Sequence, residues 1–508
     1  MIDQIISKFQ IFRNSLFQLF PYRAGATMDL IDALAATPSS DSIVKLSLSD
    51  LFRRTYSSLT DVLSSLFRTD LKVPITDEKQ RQQTFKVTQL LAQECTPIPE
   101  ENNFALFAID CTANPRIFSN KVDDRGIVHA PNHVYGQKPI TIGHEYSVLV
   151  YLPGAIENQN KHWVIPLSTR RVRSNQSGTE IGFMQFEEIV NHTIFKNHFC
   201  VGVTDAAYST RSWVIGISKQ PHAVQIARMR GNRKLYRIPP VGSQTRRGRP
   251  QLYGEELLLQ DPSVPDLEEI TTTTTRKGQK RNVLLQRWNN VIMQGSKDKR
   301  THKHPFDVLR ISVTDEKGNP VYKRPLWLMI TGIKRHTICS KDAYLAYGRR
   351  YDIEHFFRFG KQRLGLVSSQ TPETFHEENW HWIGLLAYNM LYYTRTLARS
   401  VRYRWEKKEI QMLSSVKRPS QVQRDYERII RGIGTPAPIP KPRGKSPGRR
   451  QGEKGKRRPD RLLVRKSAKE DDESSDKLQT SRKKRVLKPK LSHIRRIWPK
   501  NRPAPMRC

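Results

Sequence analysis

Apolar residues change their rhythm along this chain, and each change marks a boundary. Up to about residue 95 they recur at helical spacing: Ile5, Phe9 and Phe12, then Leu48, Leu51, Phe52, Leu59, Val62, Leu63 and Leu66. The pattern predicts a helical N-terminal domain over 1–95, serving either DNA-end binding or dimer contact, or simply packing against the rest. From residue 104 short unbroken apolar runs take over. Phe104–Asp110 and Phe199–Asp205 read as buried strands that each close on an acid. Thr141–Tyr151, His162–Leu167 and Ala223–Met229 read as further strands, and Phe183–Phe195 returns to helical spacing.

Between 231 and 325 the texture changes again. Arg246–Pro250 is a basic turn, Asp261–Glu269 is rich in Pro and acids, and Thr271–Thr275 is a run of threonines. Asn282–Met293 and Val308–Thr314 follow as β-like runs, with a turn signal at Glu316–Asn319. We read 231–325 as a β-rich insertion between a first part of an α/β core (100–230) and a second part (326–414). The second part opens with a buried strand at Pro325–Thr331. It then carries one helix over about 341–360 and another over Glu373–Ser400, for which Thr371 and Pro372 suit the N-cap and first helical position. Trp380, His381 and Trp382 are assigned to helix packing.

Composition sharpens this picture at the C-terminus. The formal net charge is +39, and 441–508 alone holds 25 basic and 7 acidic residues. Such a segment buries too little apolar surface to offset its ordering entropy, so 415–508 reads as a disordered basic tail. Within it Arg482–Arg485 resembles a nuclear signal, although a general DNA clamp is the simpler reading. The charge points to a polyanionic partner, with DNA first and an anionic membrane second. No apolar run is long enough to span a bilayer, and Met1–Phe20 is interrupted by Asp3, Lys8 and Arg13, as in an amphipathic helix. The five cysteines form no CxxC pair, which argues against a zinc cluster or a disulfide framework and fits the cytoplasm, with the protein associated with the nucleoid.

Candidate chemistry lies in three acids. Asp110 and Asp205 close apolar strands, and Glu354 lies in the helix over 341–360. Neighbouring strand ends and a helix packed on their edge can bring three carboxylates together. Such a set suits two Mg²⁺ or Mn²⁺ ions, which take oxygen ligands. Each acid alone is more often a turn or cap residue. Along the helix, Tyr347, Arg350, Glu354 and Lys361 fall in one stripe, which is either a phosphate-facing surface or a solvated face with a plain Arg350–Glu354 pair.

The run Tyr347-x2-Arg350-x3-Glu354-x6-Lys361 matches the Y-R-E-K signature of DDE-type bacterial insertion-sequence transposases, and the surroundings of Asp110 (Ala108–Thr112) and Asp205 (Val203–Tyr208) resemble that family's two Asp motifs. The resemblance covers about 100–400. It implies an α/β fold with a ribonuclease-H-like mixed sheet flanked by helices and interrupted by a β-rich insertion. It also implies metal ligation by Asp110, Asp205 and Glu354, and phosphate contacts from Tyr347, Arg350 and Lys361. The expected activity is cut-and-paste transposition on terminal inverted repeats and target DNA by a homodimer or larger synaptic complex. A nuclease without strand transfer and an inactive DNA-binding protein are the competing readings. Two weaker signals concern the insertion. Arg247 and Arg249 flank a Gly as in a minor-groove hook, or belong to a plain basic turn. Trp288 either stacks on an unpaired base, as the resemblance suggests, or fills the core.

Overall fold

The computed structural model describes residues 2–464 apart from 39–41, 74–75, 94, 96–102, 130–138, 155–162, 241–250, 275–277, 297, 370, 399–415, 443–447, 449–451 and 453–456. The N-terminal segment is helical, as its periodicity predicts: α1 (Ile2–Gln18), α2 (Ala24–Ala36), α3 (Ile43–Leu46), α4 (Ser57–Ser65) and α5 (Asp77–Gln93). A strand-rich stretch follows, with β1 (Ala105–Pro115), β2 (Gly126–His129), β3 (Ile140–Tyr151) and β4 (Ile165–Val172). Next come α6 (Gly178–Val190), β5 (Cys200–Thr204), α7 (Arg211–Ile217) and β6 (Ala223–Arg228). A capping box, Ser177 with Glu180, starts α6 five residues before its apolar pattern does.

The strands β4-β3-β1-β5-β6 form the ribonuclease-H-like arrangement: β3 runs antiparallel to β4 and β1, and β1, β5 and β6 run parallel. Edge strand β2 also pairs with β3. The region 231–325 adds β7 (Lys234–Arg237), β8 (Glu256–Leu258), β9 (Leu267–Thr274), β10 (Lys280–Met293) and β11 (Phe306–Thr314), and β12 (Leu326–Thr331) returns to β6. Its strands extend the central sheet, in the order β6-β12-β11-β10-β7-β8 with β9 also on β10, giving a mixed sheet of 12 strands among the described residues. A lateral extension of this kind differs from a unit hung on the core. The extension keeps a small core of its own around Trp288, Trp327 and Met329.

Three further expectations change. The helix over 341–360 is two helices, α8 (Ser340–Gly348) and α9 (Tyr351–Arg363). Between them the backbone tightens to i→i+3 bonds, Arg350 N to Tyr347 O at 3.0 Å and Asp352 N to Arg349 O at 3.0 Å. The buried Arg349 side chain fixes the joint through Asp352 (2.7 Å) and the Pro153 carbonyl (3.1 Å). Helix α10 (Thr374–Tyr393) is capped by Glu373 rather than Thr371, whose hydroxyl instead accepts the Glu373 N–H at 3.2 Å.

The third change concerns 415–508, which is not uniformly structureless. Pro419–Ile433 forms α11, because Val422, Tyr426, Ile429 and Ile430 put one apolar face on α2 and α10. The Tyr426 hydroxyl reaches Asp32 at 3.0 Å, beside the buried Arg13–Asp32 pair at 2.6 Å. Residues near 460 also dock, with Val464 N bonded to Arg125 O at 2.8 Å on the β2 side. One apolar core runs from Phe9 in α1 through the sheet to Ala437, so the N-terminal helices share it rather than closing a core of their own. Arg482–Arg485 lie outside the described residues. No helix among the described residues is long and apolar enough to cross a membrane.

Candidate active site

The two aspartates meet because of how the sheet divides. In parallel, β1 and β5 stay paired only as far as Ile109 with Thr204. The antiparallel pairing of β1 with β3 continues to Pro115. Asp110 is therefore mid-strand, not at a strand end, but it stands where the parallel ladder opens. Asp205 is the next residue of β5 in the same register, and neighbouring strands lie about 4.8 Å apart. Chain direction reverses at Asp205 because its carboxylate accepts the Ala207 N–H at 2.8 Å and caps a short 3-10 turn. Asp110 accepts the Cys111 N–H at 2.8 Å.

Glu354 arrives from α9, which packs against β1. Its link to Asp110 is Arg350, whose guanidinium donates to Asp110 Oδ2 at 3.2 Å and to Glu354 Oε1 at 2.5 Å. Arg350 is buried, and the Tyr347 ring lies 6.0 Å from its guanidinium. Burial pushes the Asp110 carboxyl up to about 6; Arg350 opposes that, while the negative charges of Asp205 and Glu354 add to it. Burial likewise raises the Tyr347 phenol, against the pull of Arg350 and Arg228. These mutual influences bring Asp110, Asp205, Glu354, Tyr347 and Arg350 into one electrostatic neighbourhood.

As the side chains stand, no group of three or more His, Cys, Asp or Glu among the described residues is placed to hold a metal ion together. The donor set nevertheless fits a hard divalent cation. All three acids offer oxygen, and a single positive group already spans two of them. Burial is the main reason the Asp110 carboxyl is raised, and a cation bound beside it would offset that cost.

The other sequence-nominated residues are placed differently. Lys361 is seven residues beyond Glu354 along α9, about 10 Å of helix rise. It is partly buried, which lowers its pKa, and its charge acts on the buried His381. Trp288 takes the core reading: its ring is fully buried 5.5 Å from Trp327, and its indole N–H is donated to Ser263 O at 3.0 Å. An enclosed ring cannot stack on a base. Arg247 and Arg249 lie outside the described residues. Away from the three acids, His144 of β3 pairs with the buried Glu377 at 2.9 Å. Sequence reading missed Arg228, at the end of β6, whose charge reaches Tyr347. A basic residue closing the third parallel strand was the available signal.

A family model described as DDE superfamily endonuclease matches residues 15–289, just over half of the chain. The matched stretch contains Asp110 and Asp205 and stops before Glu354. No curated protein matches the chain.

Proposed function

The chain belongs to the DDE superfamily endonucleases, and on that premise we propose that it is a DNA transposase of the cut-and-paste kind. One observation carries the reading: Asp110 and Asp205 stand side by side where the parallel pairing of β1 and β5 ends, and Arg350 ties Glu354 to Asp110. The family match ends before Glu354, so this third acid rests on that tie and on the Y-R-E-K run.

In this reading Asp110, Asp205 and Glu354 are the ligands of Mg²⁺ or Mn²⁺. Two such ions, when bound, supply an activated water or 3′-hydroxyl and a stabilised leaving oxygen. The chain's own residues do the remaining work. Arg350 holds Asp110 and Glu354 at a fixed separation and turns its charge to a phosphate when DNA arrives. Tyr347 orients that guanidinium, and Lys361 neutralises a phosphate farther along the strand. Hydrolysis at an element end frees a 3′-hydroxyl, which then attacks target DNA in line. Two terminal inverted repeats must be held together, so the working unit is a homodimer or larger synaptic complex.

The test is direct. Asp110→Ala, Asp205→Ala and Glu354→Ala are each expected to abolish metal-dependent cleavage of element-end DNA while leaving DNA binding largely intact. Undiminished cleavage in all three removes the catalytic assignment. Joined products with a target plasmid support strand transfer; nicks alone indicate a nuclease.

A further inference from the structure

Beyond the three acids, α9 runs on along a cavity of about 300 Å³ that it forms with α10 and the start of α11. Arg358, Arg363, Lys417 and Arg418 line it, and among the described residues no carboxylate does. Part of the remaining wall is aromatic, with Phe359 partly exposed and Trp163 and Tyr388 buried behind it. Tyr388 lies between Phe356 (4.8 Å) and Phe359 (5.7 Å), and the Trp163 indole N–H is donated to Lys417 O at 2.8 Å, which pins the strand leading into α11.

In a chain this basic, positive surfaces are common, so the contrast with a second cavity matters. That one, about 280 Å³ beside α5 and α6, is lined by both signs, including Asp77 and Glu378. Its arginines are neutralised in place: Arg171 meets Glu378 at 2.6 Å, and Arg173 meets Asp77. The cavity on α9 has cations from two sides, no acid among the described residues that line it, and an apolar floor. Position adds to this. Arg350, Glu354, Arg358 and Gln362 follow one another at four-residue steps, so Arg358 stands on the Glu354 face, one turn and about 6 Å farther on.

We propose that this cavity binds one nucleotide of a single DNA strand, with the phosphate between Arg358 and Arg418 and the base against Phe359, the partly exposed ring of its lining. A concave site of this volume admits a nucleotide but not a duplex, and cations beside aromatic side chains are the usual platform for single strands. That the strand runs on from Glu354 rests on the transposase reading; the anion chemistry of the cavity does not.

The experiment uses the full chain without divalent metal and follows anisotropy of a labelled oligothymidylate and of a blunt duplex. The double variant Arg358→Ala/Arg418→Ala is expected to bind the single strand about tenfold more weakly, the scale of losing both charged contacts to one phosphate. Duplex affinity should change less than about twofold, and the single-strand salt slope should fall by about 0.7, the value for one phosphate. Equal losses on both DNAs, or no loss, overturn the proposal. Arg358→Lys, which keeps the charge at an exposed position, should retain most of the binding; a loss as large as that of the double variant points to misplaced structure and also overturns it. Thymidine 5′-monophosphate that displaces the oligothymidylate from the wild type, with no effect on duplex binding, confirms the nucleotide chemistry. Saturable binding of that mononucleotide, lost in the double variant while oligothymidylate binding is unchanged, assigns the cavity to a free nucleotide and overturns the strand assignment. Asp110→Asn separates the two ideas. Full cleavage by that variant removes the transposase reading and leaves the cavity standing, whereas wild-type single-strand binding by the double variant removes the cavity alone.

Discussion

Glu377 shows how single residues in this molecule are set by partners distant in sequence. It lies in α10, fully buried, yet it meets Arg116 just past β1 at 3.1 Å, His144 from β3 at 2.9 Å and the Tyr146 hydroxyl at 3.0 Å. Burial alone would push its carboxyl up, but the His144 hydrogen bond and the charges of His144 and Arg116 hold it below its usual value. One turn on, His381 stacks flat on Tyr146 at 3.6 Å, and burial pushes its pKa down to about 4 against the pull of Glu377. An unfolded histidine titrates near 6.5, so between about pH 6.5 and pH 4 the unfolded chain binds the proton that the native chain refuses. The stability contributed by neutral His381 is full above about pH 6.5 and is lost as pH falls towards 4; that of Glu377 is lost lower still. The urea midpoint should therefore drop with acidification. His381→Phe, which keeps the stack, should flatten the part of the drop above about pH 4. A variant that tracks the wild type at every pH would clear His381 of this role.

Among elements, α9 matters most, because it aims Glu354. Its position is fixed from both ends. The Arg349–Arg350 joint anchors the start, and Leu366 wedges between Gly360 of α9 and Gly384 of α10 at the other end. A methyl at Gly360 would come within 2.4 Å of Leu366 Cδ1, and one at Gly384 within 2.4 Å of Leu366 Cδ2. These glycines are needed for close approach, since neither has a positive φ. Gly360→Ala should cost about 1–3 kcal/mol through overpacking, read as a lower urea midpoint at unchanged slope. Adding Leu366→Ala should return part of the loss from overpacking while adding a cavity cost, so the two changes should not be additive. Strict additivity would show that α9 and α10 do not meet through Leu366.

At the level of the whole molecule, charge and fold are unevenly shared. The described part of the tail is anchored: α11 sits in the core, Lys121 pairs with Asp460 at 2.6 Å, and Val464 bridges to Gly126 on β2. Beyond it, residues 465–508 carry 15 basic and five acidic side chains. A chain ending at 464 should thus keep its thermal stability and lose part of its electrostatic grip on DNA. The plot of log affinity against log salt should become shallower by several units for duplex DNA. An unchanged slope would show that 465–508 makes no phosphate contacts.

Much of this was legible along the chain. Helical spacing announced the N-terminal helices and α10, unbroken apolar runs announced β1, β3, β5, β6 and β12, and the acids at 110, 205 and 354 stood out by their place in those patterns. Such features depend on which face of an element must leave water, and periodicity records that directly. The face of α11 was also written in its sequence, but the surrounding Lys and Arg masked a short apolar stripe whose partners, α2 and α10, are hundreds or tens of residues away. Only tertiary structure decided that the parallel ladder opens at Asp110, that Arg350 lies between Asp110 and Glu354, that Trp288 is enclosed, and that the strands of 231–325 continue the sheet. Each of these depends on which distant surfaces meet, and that is set by the packing of the whole core rather than by any local run of residues.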